Sequence, residues 1–223
     1  MLTVVVCALV AGLLAWAGTP VLVRTIGHPT AWTTRHAHVA LATLGGLAAG
    51  LRQTALHAAQ ASPSTPAWGE TVALVGTAVG LALLVTADLA VHRLPDRLTL
   101  PTAVWLVCCW LALCVAGAPW TSLGRALLAG AALGVGFLLL CLLTPGGIGL
   151  GDAKLAAVLG LLLGWFGWAQ VLAAVLAAFL LGGLFATGLL LARRATRRTA
   201  VAFGPWLVAG GVLALGWAPV LVG

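Results

Sequence analysis

The stretch Thr144-Pro-Gly-Gly-Ile-Gly-Leu-Gly-Asp-Ala-Lys-Leu155 separates two long apolar runs. It holds four glycines, then Asp152 and Lys154, the only lysine of the chain. Charge beside hydrocarbon is expensive, and glycines allow a tight turn or the close approach of another helix. We expect Asp152 at or near the start of a helix over 153–168, where the helix dipole stabilises a carboxylate. Taken alone, this is also the pattern of an ordinary N-cap after a glycine-rich turn.

The composition excludes most soluble enzymes. Hydrophobic residues make up 62% of the 223, charged residues only 7%, and the mean hydropathy is +1.16. About a quarter of the residues of an ordinary soluble domain are charged. Successive apolar runs of helix-spanning length therefore predict an all-α, polytopic integral membrane protein. The sequence pI near 10.6 indicates membrane orientation rather than nucleic-acid binding, because the arginines lie in short loops.

The apolar runs predict about eight transmembrane helices in a single membrane-embedded domain, residues 1–223. Their expected bounds are 1–23, 39–60, 71–87, 100–117, 125–143, 152–166, 170–192 and 201–220. Arg52 interrupts the second run, so that helix is either short or continues to about Gln60 with the arginine snorkelling. No internal repeat or soluble domain is evident.

The basic residues predict the orientation of these helices. With eight spans, one side of the membrane receives the loops 24–38, 88–99, 144–154 and 193–200. These loops carry nine of the eleven Lys and Arg residues, while the opposite side has only Arg52 and Arg125. The positive-inside rule places the first set in the cytoplasm and both termini outside.

A second acidic stretch, Asp88-Leu-Ala-Val-His-Arg-Leu-Pro-Asp-Arg-Leu-Thr-Leu-Pro101, falls on the same side. Together the two stretches resemble the type IV prepilin peptidases, membrane aspartyl proteases of the GxGD type. In that family the first catalytic Asp ends a membrane helix and precedes an (Ile/Leu)-Pro-Asp-x-Leu-Thr segment, here Asp88 and then Leu94-Pro95-Asp96-Arg97-Leu98-Thr99. The second lies in Gly-x-Gly-Asp-x-Lys, here Gly149-Leu150-Gly151-Asp152-Ala153-Lys154.

The resemblance covers roughly residues 70–215, and Phe203-Gly204-Pro205 also looks like a family feature. It implies an aspartic endopeptidase that cuts the leader of prepilin or pseudopilin-like substrates of type IV pilus systems. The site would face the cytoplasm from the inner (plasma) membrane, with the bilayer and the substrate as partners. The chain has no CxxC pair, so the resemblance implies the peptidase part alone, without the cysteine-containing methylation region that many members carry.

Catalysis is expected from Asp88 and Asp152, because two close carboxylates share one proton and so supply both a base and an acid. Asp88 is expected at a helix C-terminus, against the preference of a carboxylate. Support is expected from Asp96, Gly149, Gly151 and Lys154. Lys154 could orient a substrate carboxylate or balance the charge of the two aspartates, and a snorkelling lysine that follows the positive-inside rule explains it equally well.

The other titratable residues are given structural roles. Glu70, the remaining acidic residue, is expected in the first turn of a helix at the opposite side. His36 and His38 are expected in a polar loop, and the five cysteines lie in apolar runs without zinc-ligand spacing, so neither a metal nor a cofactor is predicted.

Two alternatives remain open. A presenilin-like or signal-peptide-peptidase-like protease cuts within the bilayer, but that class pairs Tyr-Asp with GxGD, and this chain has no tyrosine. A small cation-coupled transporter could use Asp88 and Asp152 to bind its ion.

Overall fold

The structure is a computed structural model that describes residues 2–27, 37–58, 67–91, 94–144, 149–192 and 203–217. These residues form helices without any strand, so the all-α prediction is confirmed. The helices are α1 (Leu2–Ala17), α2 (Thr19–Ile26), α3 (Ala37–Ala58), α4 (Ala67–Val91), α5 (Asp96–Val115), α6 (Trp120–Leu143), α7 (Leu150–Phe166), α8 (Trp168–Leu191) and α9 (Gly204–Trp217).

Four of the described helices are long and apolar enough to cross a membrane, or five if the bent pair α1–α2 forms one span. The chain is therefore a multi-pass membrane protein. The count of eight spans stays a prediction: α7 has 17 residues and the described part of α9 has 14, whereas a span needs about 20.

The first predicted helix is broken, which the apolar pattern did not indicate. α1 and α2 meet at an angle of 43° around Gly18. Pro20 has no N–H to donate to the carbonyl of Trp16, four residues earlier. The hydroxyl of Thr19 donates to that carbonyl instead, at 2.7 Å, so the bend leaves the carbonyl of Trp16 satisfied.

The predicted loop over 24–38 is also partly wrong. Arg24 lies in the last turn of α2, and His38 lies in α3 with no solvent exposure. The Nε2 atom of His38 is 2.9 Å from the Thr19 hydroxyl. A buried polar group needs such a partner, so His38 belongs to the interior rather than to a solvated loop. His36 lies outside the described residues.

Two helices, α4 and α7, hold the bundle together. α4 contacts α1, α2, α3, α5 and α9, while α7 contacts α5, α6, α8 and α9. The α6–α7 contact is close because glycines line it: a Cβ added at Gly160 would lie 2.7 Å from the carbonyl carbon of Ala129. Small residues that let helix backbones meet are typical of membrane helix pairs.

A polar network fixes the C-terminal end of α7. Arg125 donates to the carbonyls of Gly164 and Trp165, at 2.7 and 2.6 Å. A cation is favourable at a helix C-terminus, where carbonyls lack partners within the helix. Trp165 also donates to Glu70 at 3.2 Å, and Glu70 lies in the first turn of α4 as the sequence predicts.

Arg52 lies at the same end of the bundle. Its guanidinium carbon is 4.2 Å from the centre of the Phe166 ring, and it interacts electrostatically with Glu70. α3 continues through Arg52 to Ala58, so the longer of the two predicted forms of this helix is the one observed. The charges Arg52, Glu70 and Arg125 thus share the end of the bundle where α4 and α6 begin.

Candidate active site

The two motif segments dock against each other at the opposite end of the bundle. Leu94 is buried, and a Cβ added at Gly151 would lie 2.7 Å from its Cδ1 and 3.4 Å from its backbone nitrogen. Glycine at 151 therefore lets the segment before α5 approach the first turn of α7. The Nζ of Lys154 donates to Asp96 in an ion pair that joins the same two helices.

The sequence predicted that the helix before Asp88 ends at Ala87, but α4 continues to Val91. Asp88 therefore lies within the last turn of α4. Its side chain is only 7% exposed. A buried carboxylate near a helix C-terminus is disfavoured both by burial and by the negative end of the dipole. A residue placed against these preferences indicates a role other than stability.

Asp152 is the third residue of α7, which begins at Leu150. It is also 7% exposed. Its Oδ2 accepts a hydrogen bond from the N–H of Gly149 at 3.0 Å, and the backbone of Gly204 is a second hydrogen-bonding partner. Burial raises the pKa of the Asp152 carboxyl above its usual range, although both backbone hydrogen bonds act to lower it. The position therefore favours a carboxyl that holds its proton more tightly than an exposed aspartate.

Gly204 is the residue that the two aspartates share. Besides its hydrogen bond to Asp152, a Cβ added at Gly204 would lie 2.6 Å from Oδ2 of Asp88. The start of α9 is therefore in contact with both carboxylates. Asp88 and Asp152, which the sequence places 64 residues apart, thus lie beside the same residue at one end of the bundle.

An aromatic cluster holds the start of α9 in place. The ring of Phe203 lies 5.1 Å from that of Phe179 on α8 and 6.1 Å from that of Phe137 on α6. The segment Phe203-Gly204-Pro205 resembles a feature of the family, but its position at the site was not predicted from the sequence. A glycine followed by proline at a helix start was the available signal.

The structure separates the remaining candidates into two groups. Gly149, Gly151, Asp96 and Lys154 all lie around Asp152, but Lys154 pairs with Asp96 rather than with either predicted catalytic carboxylate. Asp96 is the first residue of α5 and follows the N-cap residue Pro95. Glu70 lies at the opposite end of the bundle, where it accepts from Trp165.

The described part of the site offers the carboxyl groups of Asp88 and Asp152, backbone amides, and the exposed ion pair between Lys154 and Asp96. Among the residues that the structure describes, no three His, Cys, Asp or Glu side chains lie close enough together to hold a metal ion. The five cysteines are free thiols within α1, α5 and α6.

Comparison with known proteins identifies the family of this chain. The family model described as "Type IV leader peptidase family" matches residues 75–187, which include both aspartates. Proteins named "Prepilin leader peptidase/N-methyltransferase" from three bacterial species are similar to this chain. The one from Aeromonas salmonicida is 37% identical over 161 residues, which are 69% of this chain and 51% of that protein.

The protein of that name from Aeromonas hydrophila is 36% identical over 170 residues, 73% of this chain and 54% of the relative. The one from Burkholderia pseudomallei is 37% identical over 156 residues, 66% of this chain and 47% of the relative. The chain thus spans about half the length of the curated relatives it matches. No solved structure matches it. Because the family model covers half of the chain, including both motifs, this protein belongs to the type IV leader peptidase family.

Proposed function

We propose that this protein is an aspartic endopeptidase that removes the leader peptide of prepilin-like proteins at the cytoplasmic face of the inner membrane. The observation that carries the proposal is the contact of Asp88 and Asp152 with one residue, Gly204. Family membership and the names of the relatives support the same activity.

The carboxylates supply the two roles that peptide hydrolysis needs. The ionised member takes a proton from a water molecule as the water attacks the scissile carbonyl. The protonated member donates to the carbonyl oxygen and later to the leaving amine. The raised pKa of Asp152 favours a proton on that residue, but a coupled pair titrates as a unit, so the roles belong to the pair.

The position of the aspartates favours cleavage at the membrane surface over cleavage within the bilayer. Asp88 lies in the last turn of α4 and Asp152 in the first turn of α7, so both are at an end of the bundle. The charge distribution supports a cytoplasmic orientation, since in the eight-span arrangement nine of the eleven Lys and Arg residues belong to the loops of that side.

Purified protein should cleave a prepilin encoded in the same genome, with the new N-terminus identified by sequencing. Asp88→Asn and Asp152→Asn should each lower kcat by about 100-fold or more, because an amide keeps the shape of the carboxyl but cannot transfer its proton. The double variant should be little worse than either single one, since the pair acts as a unit.

Asp96→Asn is the matched control. It removes a carboxylate at the same end of the bundle, but this carboxylate pairs with Lys154 and is not part of the proposed catalytic pair. Its ion pair is exposed, so activity should fall about fivefold or less. Insertion of each variant is verified by its amount in the membrane fraction. Activity of the Asp88/Asp152 double variant would exclude the aspartic mechanism, and ion-dependent uptake by liposomes without cleavage would favour the transporter.

A further inference from the structure

A cavity of about 430 Å³ lies between α3, α4, α7 and α9, next to the candidate active site. Its wall includes Val85, three residues before Asp88 on α4, and Pro205, which follows Gly204 at the start of α9. The helices that carry both aspartates and Gly204 therefore also form this cavity. It begins within about one helical turn of the carboxylates.

The cavity is long and narrow. Its wall runs along α3 from Leu41 to Arg52 and along α4 from Leu74 to Val85. Eleven residues of helix rise about 16 Å in each case. Small side chains leave the space open, among them those of Ala48 on α3, Ala78 on α4 and Ala209 on α9.

Among the described residues of the wall, the polar side chains are those of Thr77 and Arg52, and both have partners outside the cavity. The hydroxyl of Thr77 donates to the carbonyl of Ala73 in its own helix, at 2.7 Å. Arg52 packs on Phe166 and interacts with Glu70 at the far end. A polar ligand would lose its hydrogen bonds to water here without replacing them. The occupant must be apolar over most of its length.

We propose that this cavity is a substrate subsite, and that it takes the side chains of an apolar helical segment adjoining the scissile bond. The inference rests on the proposed function. In helical form, about eleven residues of substrate would match the length of the cavity. Burial of their apolar side chains would hold the polypeptide with its scissile bond at the carboxylates.

A phospholipid chain is the other apolar candidate, and the charges argue against it. A lipid would place its phosphate at one end of the cavity. At the near end the buried carboxyl groups Asp88 and Asp152 disfavour an anion, and at the far end Glu70 already balances Arg52. An apolar polypeptide segment that continues from the active site carries no phosphate and so avoids this cost.

Photocrosslinking tests which occupant is present. A photoreactive amino acid is placed at Ala48 or Ala209 in the Asp152→Asn variant, together with a prepilin that the wild-type protein cleaves. We expect adducts with the prepilin, mapped by mass spectrometry to its apolar segment. The control is the same photoreactive residue at Leu176, which is 61% exposed on α8 and away from the cavity. Adducts with lipid alone at Ala48 and Ala209, or equal prepilin labelling at Leu176, overturn the proposal.

Filling the cavity provides the second test. Ala48→Phe and Ala209→Phe should raise KM for the full-length prepilin at least tenfold with kcat changed much less, because the apolar contacts hold the substrate in all states of the reaction. Leu176→Phe should have no effect. Unchanged KM in both cavity variants, with wild-type cleavage intact, refutes the subsite alone. Failure of the wild-type protein to cleave any prepilin refutes the proposed function and the subsite together.

Discussion

At the scale of single residues, a small substitution at Gly204 should lower the catalytic rate while leaving the stability of the fold nearly unchanged. In Gly204→Ala the new Cβ would lie 2.6 Å from Oδ2 of Asp88. That oxygen is the end of a side chain, so it can move aside at little cost to stability, but the carboxyl group is then displaced from its position next to Gly204. We expect kcat to fall about tenfold or more, since a displacement of about 1 Å can cost 100-fold in rate.

Gly216→Ala is the control on the same helix, because no atom lies within 4 Å of the added Cβ. Both variants should reach the membrane at wild-type levels and unfold at similar temperatures in detergent. Wild-type kcat in Gly204→Ala would show that the start of α9 does not position Asp88.

The hydrogen bond from Gly149 to Asp152 should influence how the catalytic rate depends on pH. Gly149 has φ −86° and ψ 156°, a conformation open to proline. Gly149→Pro removes the N–H that donates to Asp152, which should raise the pKa of that carboxyl further. Activity of a proton-sharing pair is lost when the shared proton leaves, so the alkaline limb of the pH–kcat profile should move to higher pH.

Gly149→Ala keeps the N–H and is the matched control, since its Cβ would meet Oδ2 of Asp152 at an ordinary 3.7 Å. Its alkaline limb should coincide with that of the wild type. An alkaline limb of Gly149→Pro at or below that of Gly149→Ala would contradict the assignment of Asp152 to the pair.

At the scale of helices, the packing of α6 on α7 should determine stability. In Gly160→Ala the Cβ would lie 2.7 Å from the carbonyl carbon of Ala129 and 2.8 Å from Cα of Gly130. These are backbone atoms, so the two helices must separate, at a cost of about 1–3 kcal/mol. Gly136→Ala on α6 is the control, with no atom within 4 Å. Thermal unfolding in detergent should show a lower Tm for Gly160→Ala only; equal Tm values would contradict the tight contact.

The helices themselves were largely predictable, because long apolar runs and proline- or glycine-rich interruptions determine where a membrane helix begins and ends. The bend between α1 and α2 was not, since it depends on Thr19 replacing the hydrogen bond that Pro20 cannot make. The burial of His38 was missed for a similar reason. Its partner, Thr19, is on another helix, and a local sequence pattern cannot predict a contact between helices.

The site was predictable in part. Each aspartate could be placed at a helix end from its own segment, and the charge split placed both at one side. The contact of Gly204 with both carboxylates could not be predicted, because it depends on how α9 packs between α4 and α7. Likewise, the sequence allows more than one interpretation of Lys154, and the pairing of Lys154 with Asp96 is seen only in the structure.

At the scale of the whole molecule, the two ends of the bundle differ in chemistry. One end has the aspartates, Arg97 and Lys154. The other has Arg52, Glu70 and Arg125, together with three tryptophans in the first turns of helices that are at least 47% exposed. These are Trp68, Trp120 and Trp168. Exposed tryptophans at helix ends are typical of the membrane–water interface, so this end is expected at one surface of the bilayer.

Which surface it reaches is predicted by the positive-inside rule, with the aspartates in the cytoplasm. The test replaces the five native cysteines by alanine and adds one cysteine at an exposed helix start. Leu150→Cys marks the end with Asp152, and Trp120→Cys marks the opposite end; the native side chains are each 60% exposed. A membrane-impermeant maleimide should label Trp120→Cys in intact cells, and Leu150→Cys only after the membrane is opened. Labelling of Leu150→Cys alone in intact cells would invert the topology and place proteolysis on the outer side, where a cytoplasmic leader could not be cut.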